Sequence, residues 1–309
     1  MADDRPPAAG NKRAASASSD DASKKSKYHR NLKASHQHQH PELPRGEVPG
    51  LLVTCLTGKE RQCARETITL LDECCPQNEG AAAAKPAEEK KSISARLTEE
   101  LTSLRDEAKR QYRYHRVKGV GGMVFVEFLK SGGGDDGGDE AGTSRLSPTE
   151  AALAILNAGI AKRKCGSKFI LRILPVETIS FCGLEEIARA AKGVVARHFP
   201  ADASAQTEGE ETKTTKKPTF SVEYEHRANK KVDRLDVINA FAKLVPSPPF
   251  AVDLKQPDRT IIVQLAANKC FIGMAPGYRK YRKFNLQRVV EDALNAHETA
   301  AEAEAEEKE

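Results

Sequence analysis

No stretch of the 309 residues approaches the roughly 20 consecutive apolar residues that a membrane-spanning helix needs. The N-terminus also lacks the hydrophobic segment of a secretory signal. The expected setting is soluble and intracellular, with no membrane partner. Cysteine is sparse and unpatterned: Cys55, Cys63, Cys74, Cys75, Cys165, Cys182 and Cys270 are odd in number and include no Cys-x-x-Cys pair. That excludes a zinc ribbon or a disulfide framework and fits a reducing compartment, where a Cys in an apolar run acts as a small hydrophobe. Tryptophan is absent, and aromatic residues make up 5% of the chain. Catalytic signatures are missing as well. No His-Glu-x-x-His, Gly-x-Ser-x-Gly or Walker A sequence occurs. The glycines of "KGVGGMVF" (118–125) precede a strand, whereas a phosphate-cradling loop follows a strand and opens a helix. His226, between Glu225 and Arg227, reads as a structural histidine, and Asp253 and Asp258 read as capping residues around a turn. With no nucleophile, metal site, cofactor loop or acid–base pair in view, the chain is expected to bind no cofactor, to take no small-molecule substrate and to be no enzyme.

Basic residues are what the sequence does offer. From Lys213 to Val290 there are 16 Lys and Arg against 6 Asp and Glu; from Glu291 to Glu309 there is 1 against 8. A basic body followed by an acidic tail implies a polyanionic partner, or a tail that tempers non-specific binding to one. Three clusters stand out. Lys162, Arg163, Lys164, Lys168 and Arg172 surround the entry to a strand. Arg227, Lys230, Lys231 and Arg234 lie just after a strand and before a helix, where phosphates find both cations and backbone amides. Arg279, Lys280, Arg282 and Lys283 alternate with Tyr278, Tyr281 and Phe284, a ring at every third position in a chain poor in rings. Together they raise RNA or DNA binding above the ordinary reading of a charge run as a solvated face. Phe284 and Leu286 are expected to pack on the sheet while the four cations face the partner. Tyr278 and Tyr281 have two readings, stacking on a base or packing, and packing is the better one.

The order of elements suggests an α+β chain in four parts. Residues 1–46, rich in Ala, Ser, Pro, Lys and His, bury too little to offset their ordering entropy and read as a disordered tail. In this tail "KKSKYHR" (24–30) is either an import patch or solubilising charge, and "HQHQH" (36–40) is low-complexity linker. Residues 47–164 are expected to form a ferredoxin-like unit. It contains a strand at "GLLVTCLT" (50–57), a helix with Ala64, Ile68 and Leu71 on one face, and an inserted loop at 78–91. A charged helix then carries Leu97, Leu101 and Leu104, capped by Thr98. A second strand at 121–129 and a flexible glycine-rich loop follow, and then a helix capped by Ser147 with Pro148 and Glu150 behind it. Residues 165–290 read as a mixed sheet with helices over one face, and residues 291–309 as an acidic tail, disordered like the first.

The segments "KFILRILPVETISFC", "FSVEYEHRANKKVDRLDVINAFAKLV", "AVDLKQPDRTIIVQLAANKCFIG" and "YRKFNLQRVV" resemble the THUMP domain, an RNA-binding module of tRNA-modifying proteins. The form they resemble is that of tRNA adaptors for cytidine acetylation, and the likeness runs from about Gly50 to Val290. It implies that residues 47–164 are the ferredoxin-like domain that precedes a THUMP domain at 165–290. It also implies binding to the acceptor end of tRNA, and an RNA cytidine acetyltransferase as partner that makes acetylcytidine in the D arm. Residence in the nucleus or nucleolus goes with it. The rival readings are a tRNA-modifying enzyme of methyltransferase or thiolation type, and a general RNA-binding module without a dedicated enzyme partner.

Overall fold

In the computed structural model, which describes residues 42–75, 111–129, 146–200 and 217–306, eight strands build one sheet. The elements are β1 (Gly46–Cys55), α1 (Glu60–Cys74), β2 (Tyr112–Arg116), β3 (Met123–Phe128), α2 (Pro148–Lys162), β4 (Ile170–Phe181) and α3 (Leu184–His198). Then come β5 (Thr219–Arg227), α4 (Arg234–Ala242), β6 (Ala251–Val252), β7 (Arg259–Ala266), β8 (Lys269–Pro276), a 3₁₀ turn (Arg282–Phe284) and α5 (Leu286–Glu306). Strand order is β2-β3-β1-β4-β8-β7-β5-β6, antiparallel except where β5 pairs with β6 and β7. The readings for residues 1–41, the loop at 78–91, the charged helix with its cap Thr98, and the glycine-rich loop at 131–142 fall outside the described residues.

The sheet runs without a break across the expected boundary at Lys164–Cys165. β4 pairs with β1 from Cys55↔Ile170 to Gly46↔Ile179, and its last residues pair with β8 from Thr178↔Ile272 to Phe181↔Lys269. Where the two halves meet, Gly273 of β8 lies so close to β4 that a Cβ there would sit 2.1 Å from the Pro175 carbonyl oxygen. No residue larger than glycine fits without moving backbone. The core follows the same plan. Ile262, Ala266, Phe271 and Ala275 from β7 and β8 join the cluster built on β1, β3, α1 and α2, while Ile261, Val263, Cys270 and Ile272 join the helices α3 and α4. Alternate residues of a strand face opposite sides of its sheet, so β7 and β8 are buried on both. The helices of the second half cover one face, as expected; the first half covers the other.

Local signals held where they were strong. Ser147 caps α2 with a full capping box: its hydroxyl accepts from the Glu150 amide at 3.2 Å, and the Glu150 carboxylate accepts from the Ser147 amide at 2.8 Å. Asp253 accepts from the amides of Lys255 (2.8 Å) and Gln256 (3.2 Å), the turn-fixing role expected of it, whereas Asp258 accepts from the Thr219 amide (2.8 Å) and ties the turn to the start of β5. All seven cysteines are free thiols, and Cys55, Cys63, Cys75 and Cys270 are buried. No helix among the described residues is long and apolar enough to cross a membrane.

Two elements depart from the sequence reading. "YRYHR" forms the edge strand β2, paired with β3 from Tyr112↔Phe128 to Arg116↔Val124. Its polar pattern hides the strand because its one buried residue, His115, is bonded to Glu127 across the ladder at 2.7 Å. The acidic segment after Val290, expected to be a disordered tail, continues α5 as far as Glu306. Buried Leu286, Val289 and Val290 anchor that helix, and alternating Ala and Glu are among the best helix formers.

Candidate nucleic-acid interface

The alternation of β5, "TFSVEYEHR", turns Phe220 and Tyr224 into the core under α3 and α4. Glu223, Glu225 and Arg227 therefore share the opposite face. Cations from elsewhere in the chain gather along it. Arg279 Nη2 donates to Glu223 at 2.5 Å. Arg172 Nη1 donates to both oxygens of Glu225, at 2.9 and 3.1 Å. β8 and β7 separate β4 from β5 in the sheet, so this pair closes across the face and not along a ladder. Burial alone would push the Glu225 carboxyl upward, but Arg172 beside it, aided by the charge of Lys283, holds it below the usual glutamate range. Arg227 follows two residues on, exposed at the end of the strand.

The sign of the Glu225 shift makes a prediction. A carboxyl depressed in the folded state contributes stability above its unfolded pKa and loses it as pH falls through the folded value. Urea midpoints should therefore drop on acidification through and below the ordinary glutamate range. Glu225→Gln should remove that part of the drop, and an identical acid limb in both proteins would contradict the assignment.

The run after β8 folds into a tight turn. Tyr281 N donates to the Gly277 carbonyl (3.0 Å), Lys283 N to that of Tyr278 (2.8 Å), and Asn285 bridges to Arg172 of β4. Arg282, Lys283 and Phe284 have φ of 49°, 59° and 57°, three successive non-glycine residues in the left-handed region. Each such residue costs about 1–2 kcal/mol. Packing of the rings offsets it: Tyr278 and Phe284 are fully buried with centroids 6.1 Å apart, and Tyr281 meets Phe284 edge-on at 5.8 Å. Tyr281 also donates its hydroxyl to Asn157 of α2 at 3.1 Å. Both tyrosines pack, and base stacking by Tyr278 is excluded by its burial.

The charges of this turn are not all turned outward. Arg279 is held by Glu223, Arg282 Nε donates to Asp292 of α5, and Lys283 is half-buried near Glu225. Lys280 is exposed and lies over the Tyr281 ring at 5.6 Å. Two of the four cations expected to face a partner are thus also within reach of carboxylates of the same chain, which compete for them.

The first cluster follows α2. Arg163 caps the helix in a left-handed conformation, and Lys162 stands 3.5 Å from Glu73. Glu66 pins the loop beyond by accepting from the Ser167 hydroxyl (2.5 Å) and the Phe169 amide (3.1 Å). Lys162, Lys164 and Lys168 share a cavity of about 740 Å³ with Glu66 and Glu73. In the second cluster Arg227, Lys230 and Lys231 are exposed, on a loop held by Asn229, which donates to the Ala267 carbonyl at 2.6 Å.

Loops of the first half join these clusters. Lys59 and Lys168 flank the Phe169 ring at 5.5 and 5.8 Å. Glu60 next door accepts from the Gly122 amide at 2.8 Å and stands 3.6 Å from Arg116. A Cβ on Gly119 would lie 3.7 Å from Ala267, so the β2–β3 loop with Lys118 abuts the turn that holds Asn229. Lys59, Arg116 and Lys118 thus extend the basic surface, and sequence reasoning missed them. Lys59 follows a strand and precedes a helix, the same signal that marked Lys230. The described residues contain no group of three or more His, Cys, Asp or Glu able to hold a metal ion.

Comparison with known proteins bears on this arrangement. Residues 183–275, from the N-cap of α3 to the end of β8, match the THUMP domain. THUMP domain-containing protein 1 of Bos taurus is 26% identical over 257 residues, covering 80% of this chain and 64% of the relative. The chain therefore spans a little under two thirds of that relative. The tRNA acetyltransferase TAN1 of Saccharomyces cerevisiae is 24% identical over 274 residues, covering 81% and 87%. The solution structure of the THUMP domain of THUMP domain-containing protein 1 is 26% identical over 30% of this chain and 84% of its own, with a TM-score of 0.23. Of the basic residues singled out above, only Arg227, Lys230, Lys231 and Arg234 lie within the THUMP match. The cations of residues 162–172 and 279–283 flank it and are brought to it by the fold.

Proposed function

We propose that this protein is a non-catalytic tRNA-binding adaptor that presents tRNA to a separate RNA cytidine acetyltransferase for acetylcytidine formation in the D arm. The observation that carries the proposal is the exposed basic surface formed by Arg227, Lys230 and Lys231 within the THUMP match and widened by Lys59 and Lys118. Cations on a twisted sheet face read phosphates and helical shape and leave base sequence unread, which suits a module that grips the acceptor end of many tRNAs. The kinship with a yeast protein named as a tRNA acetyltransferase supplies the reaction. Residues 46–181 support a ferredoxin-like reading of the first half: among described elements they run β-α-β-β-α-β with strand order β2-β3-β1-β4. Nuclear or nucleolar residence belongs to the proposal too, resting on the family resemblance, with the "KKSKYHR" segment as secondary support.

Acetylcytidine should disappear from tRNA of cells lacking this protein and return on re-expression; unchanged levels would overturn the adaptor role. The rival reading, in which the chain is itself the enzyme, makes a different forecast. Purified protein with acetyl-CoA and tRNA should give no acetylcytidine until the acetyltransferase is added. Turnover by this chain alone would overturn the non-catalytic adaptor role.

A further inference from the structure

Of the four buried thiols, two meet each other. Cys55 is the last residue of β1, and Cys63 sits in the first turn of α1, on the buried stripe of that helix with Ala64, Thr67 and Leu71. They are 5% and 0% exposed and share one core cluster. Backbone bonds fix both positions. The Cys55 amide donates to the Gly122 carbonyl at 2.9 Å, and the Cys63 amide to that of Lys59 at 2.8 Å, so α1 closes directly on the turn that leaves β1. The Cys63 carbonyl accepts from the Thr67 hydroxyl at 2.8 Å. Across this reversal the two thiols are hydrogen-bonded, Cys63 donating and Cys55 accepting.

A buried thiol is ordinarily inert, because burial disfavours the thiolate that reacts. This pair departs from that rule. The hydrogen bond from Cys63 lowers the Cys55 pKa; burial and the charges of Glu60 and Glu66 oppose it, and that of Arg227 helps. The same bond, together with burial, keeps Cys63 protonated. One sulfur is thus disposed to attack, and the second stands beside it to displace whatever the first acquires. A low-pKa sulfur with a second thiol next to it is the arrangement of peroxide-sensing cysteines. Other thiols lack it: burial raises Cys74, Cys75, Cys182 and Cys270.

We infer that Cys55 and Cys63 are a modification site that closes to a reversible disulfide, with hydrogen peroxide as the oxidant. The Cys55 thiolate attacks one peroxide oxygen, the O–O bond breaks, and the departing hydroxide takes up the proton that the thiol released. Cys55 is then a sulfenic acid. The Cys63 sulfur attacks the Cys55 sulfur, the S–O bond breaks, and the oxygen leaves as water with the Cys63 proton. Two thiols lose two electrons, and one peroxide becomes two waters. The closed ring staples the end of β1 to α1 across the turn that carries Lys59, and a dithiol reductant reopens it. The site stands independently of the tRNA reading.

Peroxide treatment of the full, folded chain provides the test, with the remaining thiols alkylated before tryptic digestion without reductant. Trypsin cuts after Arg45, Lys59, Arg61 and Arg65, so Cys55 and Cys63 fall on separate peptides, 46–59 and 62–65. These two should appear joined, lighter by two hydrogens than their sum, as the first oxidation product. Dithiothreitol should separate them again. Exposure alone ranks the cysteines differently, since Cys74, Cys165 and Cys182 are half-buried and more open to reagent. Oxidation of those three while 46–59 and 62–65 stay unlinked overturns the inference. The wild-type map decides this without any variant, and two substitutions then assign the roles. Cys63→Ala should stop at a sulfenic acid on Cys55 that dimedone traps, whereas Cys55→Ala should leave Cys63 a free thiol. Sulfenic acid on Cys63 in place of Cys55 would overturn the assignment of the attacking sulfur.

Discussion

Replacing Phe284 with alanine should lower the unfolding free energy by about 3–5 kcal/mol, the usual cost of emptying a buried phenylalanine site. The ring is fully buried against Tyr278 and Tyr281. Its loss also removes what holds three left-handed residues in place. Tyr278→Phe should go the other way. The Tyr278 hydroxyl is buried without a partner among the described residues, and both burial and the carboxylate of Glu225 raise its pKa. Removing an unsatisfied hydroxyl is expected to raise stability by about 1 kcal/mol. Urea denaturation of both variants checks the pair. A Phe284→Ala protein as stable as wild type would mean that the turn is held from elsewhere, and a destabilised Tyr278→Phe would mean that the hydroxyl has a partner. RNA binding by Phe284→Ala should fall only in proportion to the unfolded fraction.

That turn also shows how far sequence could reach. The threefold spacing of Tyr278, Tyr281 and Phe284 was visible, and so was the preference for packing. The left-handed path was not, since no glycine marks it: Gly277 precedes the turn, and Arg282, Lys283 and Phe284 carry the strain themselves. β5 was legible to the residue because its alternation is clean, with one face in the core. β2 was illegible because a buried histidine and its glutamate partner look like surface residues in a string of letters. The basic clusters could be read as charge, but their counter-charges could not. Glu223, Glu225 and Asp292 are separated from Arg279, Arg172 and Arg282 by 10 to 56 positions, and only the curled sheet and α5 bring them together. The boundary at Lys164–Cys165 followed from the order of elements and the likeness to a THUMP domain. It does not divide the fold, because β4 pairs with strands of both halves.

These counter-charges change what the basic surface can do. A guanidinium held by a carboxylate across a water-exposed face gives up little when a phosphate replaces that carboxylate, since exposed ion pairs contribute at most about 1 kcal/mol. Arg282 and Asp292 are both well exposed, at 59% and 46% of their side-chain surface, so their pair can open. Glu225 is more enclosed, and the Arg172 pair serves better as scaffold than as phosphate ligand. Asp292, at the start of the acidic segment and part of α5, is therefore a local competitor for a cation that RNA would use.

Salt dependence measures that competition. Each cation that neutralises a phosphate contributes roughly −0.7 to −0.9 to the slope of log affinity against log salt. If two of Arg279, Lys280, Arg282 and Lys283 touch phosphates, changing all four to Gln should flatten the slope by about 1.4 to 1.8. The loss should be uniform across tRNAs, because phosphate contacts carry no sequence information. Between 50 and 200 mM salt a change of that size alters the loss of affinity by about tenfold. Asp292→Asn should act in the opposite sense. It releases Arg282 from its carboxylate, and binding should strengthen while the slope steepens by about one contact, roughly 0.7 to 0.9. Fluorescence anisotropy titrations of the folded variants over that salt range read both changes. An unaltered slope in the quadruple variant would make the run a solvated face that never meets phosphate. An unaltered slope in Asp292→Asn alone would leave Lys280 and Lys283 as the contacts and Arg282 as a staple for α5.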